Sequence, residues 1–132
     1  MGKSLHDDVL DALLDAIADF GDRLTVCTQQ PTTFTHAASG SGDGGYMIAW
    51  TPLTPSGGGP DYTYSDAVSG RQVTIAAQSN FLVLETGTAT HIAIVDVSAE
   101  KLLAVTTCTS QALTGGGLVA TPSWVMGVND PT

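Results

Sequence analysis

The stretch that most constrains this fold is residues 87–108, which read GTATHIAIVDVSAEKLLAVTTC. Its two halves, 88–97 and 101–108, are rich in β-branched and apolar residues, which suit a pleated, half-buried surface. The Ser-Ala-Glu segment at 98–100 lies between them and is long enough for the turn of a four-residue hairpin. The pattern therefore predicts two antiparallel strands. Their predicted core residues are Ile92, Ile94, Leu103 and Val105.

The rest of the chain carries further strand signals at short, regular spacing. Apolar or alternating runs, set apart by segments with Gly and Pro, predict strands at 23–28, 46–51, 71–78, 80–85 and 118–128. Thr occurs 18 times and Gly 15 times in 132 residues, which is typical of strands and tight turns. Pro122 predicts that the last strand begins at a sheet edge or with a bulge. This arrangement predicts a mainly β fold, an antiparallel sandwich or barrel.

One amphipathic helix is predicted before the strands, at residues 4–21. Ser4 suits the N-cap position, and Gly21 suits the residue that ends a helix. Apolar residues recur between them at helical spacing and form one stripe. That stripe comprises Val9, Leu10, Leu13, Leu14, Ile17 and Phe20. The sequence thus predicts a single domain, 1–132, in which this helix precedes a β-domain at 23–128.

The other face of the predicted helix is acidic. Asp7, Asp11, Asp15 and Asp19 follow one another at intervals of four residues, so a helix stacks them along one ridge. Such a ridge is either a solvated face or a docking surface for basic residues of a partner protein. Carboxylates at helical spacing lack the converging backbone oxygens of a calcium loop, so no metal site is predicted here.

A Gly- and Pro-rich loop is predicted at 38–62, because seven of the 15 glycines fall between positions 40 and 59. Its glycines lack the following Lys-Ser/Thr of a phosphate-binding loop, so a flexible loop is predicted instead. Trp50, Tyr62 and Tyr64 flank its proline-rich part. These aromatic side chains either form a contact surface for protein or sugar, or fold back onto the core as a lid.

Charge and hydropathy exclude several classes of partner. The net charge of −9 repels nucleic acid phosphates, so no direct binding of nucleic acid is expected. No apolar run reaches the roughly 18 residues of a membrane span, and the Asp-rich N-terminus lacks the apolar core of a signal peptide. Cys27 and Cys108 either stay reduced, as in a protein of the cytosol, or form a disulfide that closes a long loop.

The sequence contains no pattern that points to a catalytic chemistry. There is no Gly-x-Ser-x-Gly elbow, and the histidines His6, His36 and His91 are scattered. Glu85 and Asp96 are the only acids predicted on strands, and both can simply end their strands. His91 lies in a strand among apolar residues and is predicted to be a packed or interface residue. We therefore expect a protein that is not an enzyme and that uses no cofactor or metal.

Several segments together resemble one class of protein. They are SLHDDVLDALLDAI at 4–17, QQPTTF at 29–34, VSGRQVTIAAQ at 68–78, the segment 87–116, and VNDP at 128–131. This combination resembles small structural proteins encoded among the head and tail genes of tailed bacteriophages and prophages. The resemblance covers most of the chain outside the Gly-rich middle, where residues 38–62 depart from it.

The resemblance implies a virion protein without enzymatic activity, made in the host cytoplasm. Within that class it implies a capsid decoration or cement protein on the outer head surface, which bridges major capsid subunits and forms homo-oligomers, often trimers. A neck, collar or tail-associated protein is the main alternative. A carbohydrate-binding module that uses the loop aromatics is a further one. The candidate contact residues are Trp50, Tyr62, Tyr64 and the acidic ridge of Asp7, Asp11, Asp15 and Asp19.

Overall fold

The described part of the chain contains two helices, one 3₁₀ turn and nine strands. The structure is a computed structural model that describes residues 7–55, 60–66 and 70–128, without the side chains of 7–13 and 128. The helices are α1, Asp7–Phe20, and α2, Phe34–Ala38, and the 3₁₀ turn is Ser41–Asp43. The strands are β1 Arg23–Cys27, β2 Met47–Pro52, β3 Tyr62–Asp66, β4 Arg71–Ile75, β5 Gln78–Leu82, β6 Gly87–Asp96, β7 Lys101–Leu113, β8 Leu118–Thr121 and β9 Trp124–Val128.

The hairpin predicted from the sequence is formed by β6 and β7. The two strands pair antiparallel from Asp96 and Lys101 at the turn to Gly87 and Leu113 at the open end. The Asp96 carboxylate accepts a hydrogen bond from the Ser98 hydroxyl at 2.8 Å, which helps to close the turn. β7 runs on to Leu113, past the predicted end at residue 108, and so presents a long strand at the edge of its sheet.

The strands form two sheets and a ribbon that enclose one hydrophobic core. Sheet A has the order β2-β1-β6-β7, sheet B has the order β3-β4-β9, and β5 pairs with β8 in a two-stranded ribbon. All of these pairs are antiparallel. Leu24 and Ile94 from sheet A meet Val73 and Ile75 from sheet B in the core. The predicted fold class, a mainly β antiparallel domain with one N-terminal helix, is confirmed, and of the predicted sandwich and barrel the two sheets fit the sandwich.

Helix α1 packs against sheet B and reaches sheet A. Leu14 and Ala18 are buried in the core, and Ile17 packs beside them. Phe20 was predicted to belong to this buried stripe, and that prediction is wrong because its side chain is 59% exposed. Phe20 lies two residues beyond Ala18, which places it roughly 200° further round the helix. The predicted N-cap, Ser4, lies outside the described residues.

A second helix, α2, which the sequence did not predict, covers part of the outer face of sheet A. The hydroxyl of Thr33 caps its first turn by accepting a hydrogen bond from the backbone N–H of His36 at 3.1 Å. Phe34 and the buried Ala37 pack against Ala93 of β6. At five residues, α2 is too short for hydrophobic periodicity to reveal, and tertiary packing rather than helix propensity stabilises it.

Two predicted strands are each divided in the structure. The run 71–78 stops as β4 at Ile75, and β5 begins at Gln78 in the ribbon. The run 118–128 divides into β8 and β9 around Pro122, which has no N–H to continue a strand ladder. β8 pairs with β5, whereas β9 pairs with β4, so the chain passes from the ribbon to sheet B at this proline.

Candidate functional site

The two candidate tyrosines, Tyr62 and Tyr64, lie on β3, a strand that the sequence did not predict. Tyr62 is fully buried, and its hydroxyl donates a hydrogen bond to the carbonyl oxygen of Gly21 at 2.7 Å. Tyr64 packs against the core, and its hydroxyl donates to the carboxylate of Asp15 on α1. Both side chains therefore attach helix α1 to sheet B. The interpretation of Tyr62 as an exposed contact residue is wrong, because no part of it reaches the surface.

Trp50 faces a different side of the molecule from the tyrosines. It pairs with Thr25 across sheet A, and the Arg23 guanidinium carbon lies 3.9 Å from the centre of the Trp50 ring. A cation over an aromatic face is attractive and holds both side chains in place. Because Tyr62 and Tyr64 point into the sandwich, the structure does not bring the three aromatics together. The three residues therefore do not form one contact surface, and the two tyrosines follow the alternative in which the side chains fold back onto the core.

The four aspartates of the predicted acidic ridge all fall within α1. Asp15 is half-buried and accepts the hydrogen bond from Tyr64, so it faces β3 rather than solvent alone. Asp19 is exposed near the end of the helix. The side chains of Asp7 and Asp11 lie outside the described residues. Asp15 thus has a structural partner, and Asp19 is the member of the set that the structure places on the surface.

Both cysteines are free thiols, which agrees with the reduced alternative. Cys27 is buried in β1, with its Sγ 3.7 Å from Oγ1 of Thr25. Burial raises the pKa of the Cys27 thiol from its ordinary 9.0 to about 11. Burial also raises the pKa of the half-buried Cys108 thiol. A nucleophilic or metal-binding cysteine has a lowered pKa instead, so these thiols are suited to packing.

The glycine-rich segment contains a defined turn that Glu85 anchors. Ser41 donates its backbone N–H to both carboxylate oxygens of Glu85 at 3.2 Å, and its hydroxyl donates to one of them at 2.9 Å. Gly44 adopts a left-handed φ of 80°, which favours glycine. The glycines therefore serve a specific backbone path, and Glu85, which was predicted to end a strand, lies between β5 and β6 and holds this turn. The sequence could not reveal this because the two partners lie 44 residues apart.

Three exposed leucines, two on the ribbon and one just beyond the end of β5, form an apolar patch, which we call the leucine strip. Leu82 of β5 pairs directly with Leu118 of β8, so their side chains lie on one face. Leu84 is two residues beyond Leu82, and the buried Val83 between them points the other way. The exposed fractions are 50% for Leu82, 49% for Leu84 and 65% for Leu118. The predicted apolar run at 80–85 contained this signal, but its register was needed to show which residues face solvent.

An open strand edge adds to the surface that a partner could use. β7 lies at the end of sheet A and, among the described strands, pairs only with β6. Much of its C-terminal half is exposed. The unpaired N–H and C=O groups of such an edge can accept a strand from another chain. The leucine strip and the β7 edge are therefore two surfaces of the described chain that suit protein contact.

In residues 7–55, 60–66 and 70–128, no group of three or more His, Cys, Asp or Glu side chains converges as a metal site would require. Within the same residues, no helix is both long enough and apolar enough to cross a membrane. Comparison with known protein families, with curated proteins and with solved structures finds no match to the chain.

Proposed function

We propose that this chain is a non-enzymatic structural protein of a tailed-phage virion, and within the virion a decoration or cement protein of the outer head surface. The observation that carries the proposal is the leucine strip of Leu82, Leu84 and Leu118. Contiguous exposed aliphatic side chains are typical of surfaces that another protein covers. The segment resemblance to phage structural proteins supplies the kind of assembly.

The rest of the surface supports contact with protein rather than nucleic acid. The chain carries a net charge of −9, so an exposed apolar patch is a local exception on an acidic molecule. A shell subunit or a second copy of this chain can bury the leucine strip, and either can also pair with the β7 edge. In a three-fold assembly every copy makes the same contacts, so many weak contacts add to one stable attachment.

The leucine strip can be tested by placing charge on it. The double variant Leu82→Asp and Leu118→Asp is expected to abolish binding to virions from which the native protein has been stripped. Binding is measured by cosedimentation, and oligomeric state by light scattering. The matched control is the double variant Thr63→Asp and Ala99→Asp, which adds the same two negative charges at exposed residues outside both the leucine strip and β7. Equal binding by the two double variants would remove the leucine strip from the proposal.

The cement role has its own readout. Virions stripped of the protein are expected to lose resistance to heat and to internal DNA pressure, and the wild-type protein is expected to restore it. If stripped capsids keep full resistance, cementing is wrong.

A neck, collar or tail position is separated from a head position by imaging particles and counting copies. A decoration protein is present in hundreds of copies, whereas a neck ring holds about a dozen, because each follows the symmetry of its site.

A further inference from the structure

One end of the sandwich interior holds a cavity that helix α1 does not fill. Its volume is about 370 Å³, and it opens between β7 and the segment that contains β8 and Pro122. Val26 and Ile92 of sheet A form an apolar floor. Ala89 and Thr106 also line it, and their small side chains leave the space. No pairing joins β7 to β8 among the described strands, so the sandwich stays open at this point.

Two polar atoms in residues that line this cavity have no hydrogen-bond partner within the described protein. They are Oγ1 of Thr121, whose residue is only 5% exposed, and Nε1 of Trp124. Buried polar atoms in native proteins are nearly always paired, because an unpaired one loses its bond to water without replacement. The Trp124 N–H can only donate, so its missing partner is an acceptor, whereas the Thr121 hydroxyl can donate or accept.

The lining also indicates the charge and size of a ligand. None of the described residues that line the cavity is Asp, Glu, Lys, Arg or His, so nothing in it compensates a charged ligand. A cavity of about 150 Å³ holds benzene, so the volume here suits a molecule of about 15 non-hydrogen atoms. That volume also falls within the range of known small-molecule sites.

We propose that this cavity binds an uncharged small molecule with an apolar body and a carbonyl or hydroxyl oxygen. The apolar body lies on Val26 and Ile92. Nε1 of Trp124 and Oγ1 of Thr121 lie beneath the cavity surface, closed to a water-sized molecule, so both side chains turn towards the ligand on binding. The ligand oxygen then accepts the hydrogen bond of the Trp124 indole, and the Thr121 hydroxyl bonds to a second polar atom of the ligand or to the same oxygen. This site is separate from the leucine strip, and its occupation does not depend on the role in the virion.

The test uses three probes of equal size on the full chain. 2-Acetylnaphthalene carries an acceptor oxygen, 2-isopropenylnaphthalene replaces that oxygen with carbon, and 2-naphthoate carries a charge. The chain has two tryptophans, so its nitrogen–proton NMR spectrum contains two indole signals, which Trp50→Phe assigns. Trp50 lies over Arg23, outside the cavity, and its signal is the internal control.

2-Acetylnaphthalene is expected to shift the Trp124 indole signal in a saturable way and to leave the Trp50 signal in place. 2-Isopropenylnaphthalene is expected to bind about fivefold more weakly, because one neutral hydrogen bond is lost. 2-Naphthoate is expected to cause no saturable shift, because the site has no countercharge. The proposal is overturned if 2-acetylnaphthalene causes no saturable shift. It is also overturned if 2-naphthoate binds as tightly as 2-acetylnaphthalene.

Two variants place the binding in the cavity. Ala120→Phe adds a ring to an exposed residue that lines the cavity and is expected to abolish the shift of Trp124. Ala112→Phe adds the same ring to an exposed β7 residue outside the lining and is expected to leave binding unchanged. If Ala120→Phe does not fold, Thr121→Val replaces it, since it keeps the side-chain shape and is expected to weaken binding about fivefold. Wild-type binding in the folded blocking variant, or in Thr121→Val, would contradict the assignment.

Discussion

Gly42 and Gly45 lie in the same short turn, yet the structure gives them different surroundings. A Cβ added to Gly45 would meet the carbonyl oxygen of Ser39 at 1.8 Å, a distance that requires the backbone to move. A Cβ added to Gly42 would meet nothing within 4 Å, and Gly42 lies inside the 3₁₀ turn. A sequence shows both as equivalent members of a glycine-rich segment. Only the approach of Ser39 distinguishes them.

Alanine at these two positions should therefore have opposite effects. Gly45→Ala is expected to lower the free energy of unfolding by about 2 kcal/mol, because the backbone must strain or shift. Gly42→Ala is expected to raise it by about 0.5 kcal/mol, because alanine restricts the unfolded chain. Urea unfolding followed by circular dichroism measures both. Equal destabilisation by the two substitutions would show that the turn does not have this backbone path.

At the scale of elements, the attachment of α1 to sheet B depends on the tyrosines of β3. Tyr62→Phe removes a buried hydroxyl and leaves the carbonyl oxygen of Gly21 without this donor. The expected loss in the free energy of unfolding is about 1–2 kcal/mol. Tyr46→Phe is the matched control, because Tyr46 is partly exposed and its ring, which the substitution keeps, stacks on His36. Removing its hydroxyl should lower the free energy of unfolding by less than about 0.5 kcal/mol. Equal losses in urea unfolding would contradict this role for Tyr62.

The sequence predicted those elements whose signals are local. The β6–β7 hairpin, β1, β2 and α1 follow from apolar periodicity and turn residues that lie side by side in the chain. The helix α2 and strand β3 were missed, because their short segments FTHAA and YTYSD lack an apolar pattern and depend on packing against distant segments. The breaks at Ala76 and Pro122 were missed because they reflect a change of pairing partner.

The candidate site was harder to predict than the fold. Trp50, Tyr62 and Tyr64 are close in sequence, but the direction of each side chain depends on its strand and register, and the structure separates them. The leucine strip needs the pairing of Leu82 with Leu118, which no local pattern contains. The cavity could not be predicted without the complete fold, since its walls come from segments between Val26 and Trp124.

That the chain forms a single domain over 1–132 remains a prediction.

The whole molecule should lose stability in alkaline solution. The Cys27 thiol has a pKa of about 11 in the fold and 9.0 ordinarily, so from pH 9 upward the unfolded chain loses a proton that the folded chain keeps. The stability from this thiol is complete below pH 9 and declines by about 1.4 kcal/mol per pH unit as the pH rises towards 11. Burial also raises the pKa of Tyr62 above its ordinary 10.0, so it adds to the decline above pH 10.

Urea unfolding at pH 8.0, 9.0 and 9.8 should show this decline in the wild-type protein, where these values are chosen to lie below the titration of free tyrosine at about 10. Cys27→Ala is expected to reduce stability at every pH but to show a shallower decline, because the buried thiol is gone. The half-buried Cys108 thiol, whose pKa burial also raises, accounts for part of the decline that remains. An unchanged slope in Cys27→Ala would assign the pH dependence to other groups.

The division of the chain at Pro122 sets an order for folding during synthesis. Sheet A is complete once residue 113 has left the ribosome, because its four strands lie between Arg23 and Leu113. Sheet B and the ribbon each wait for a strand from 118–128. A nascent chain that stalls between these points would hold one finished sheet with its core face uncovered. Emergence of those last two strands therefore covers this core face, and we expect a chain stalled before that point to bind chaperones more strongly than one stalled after it.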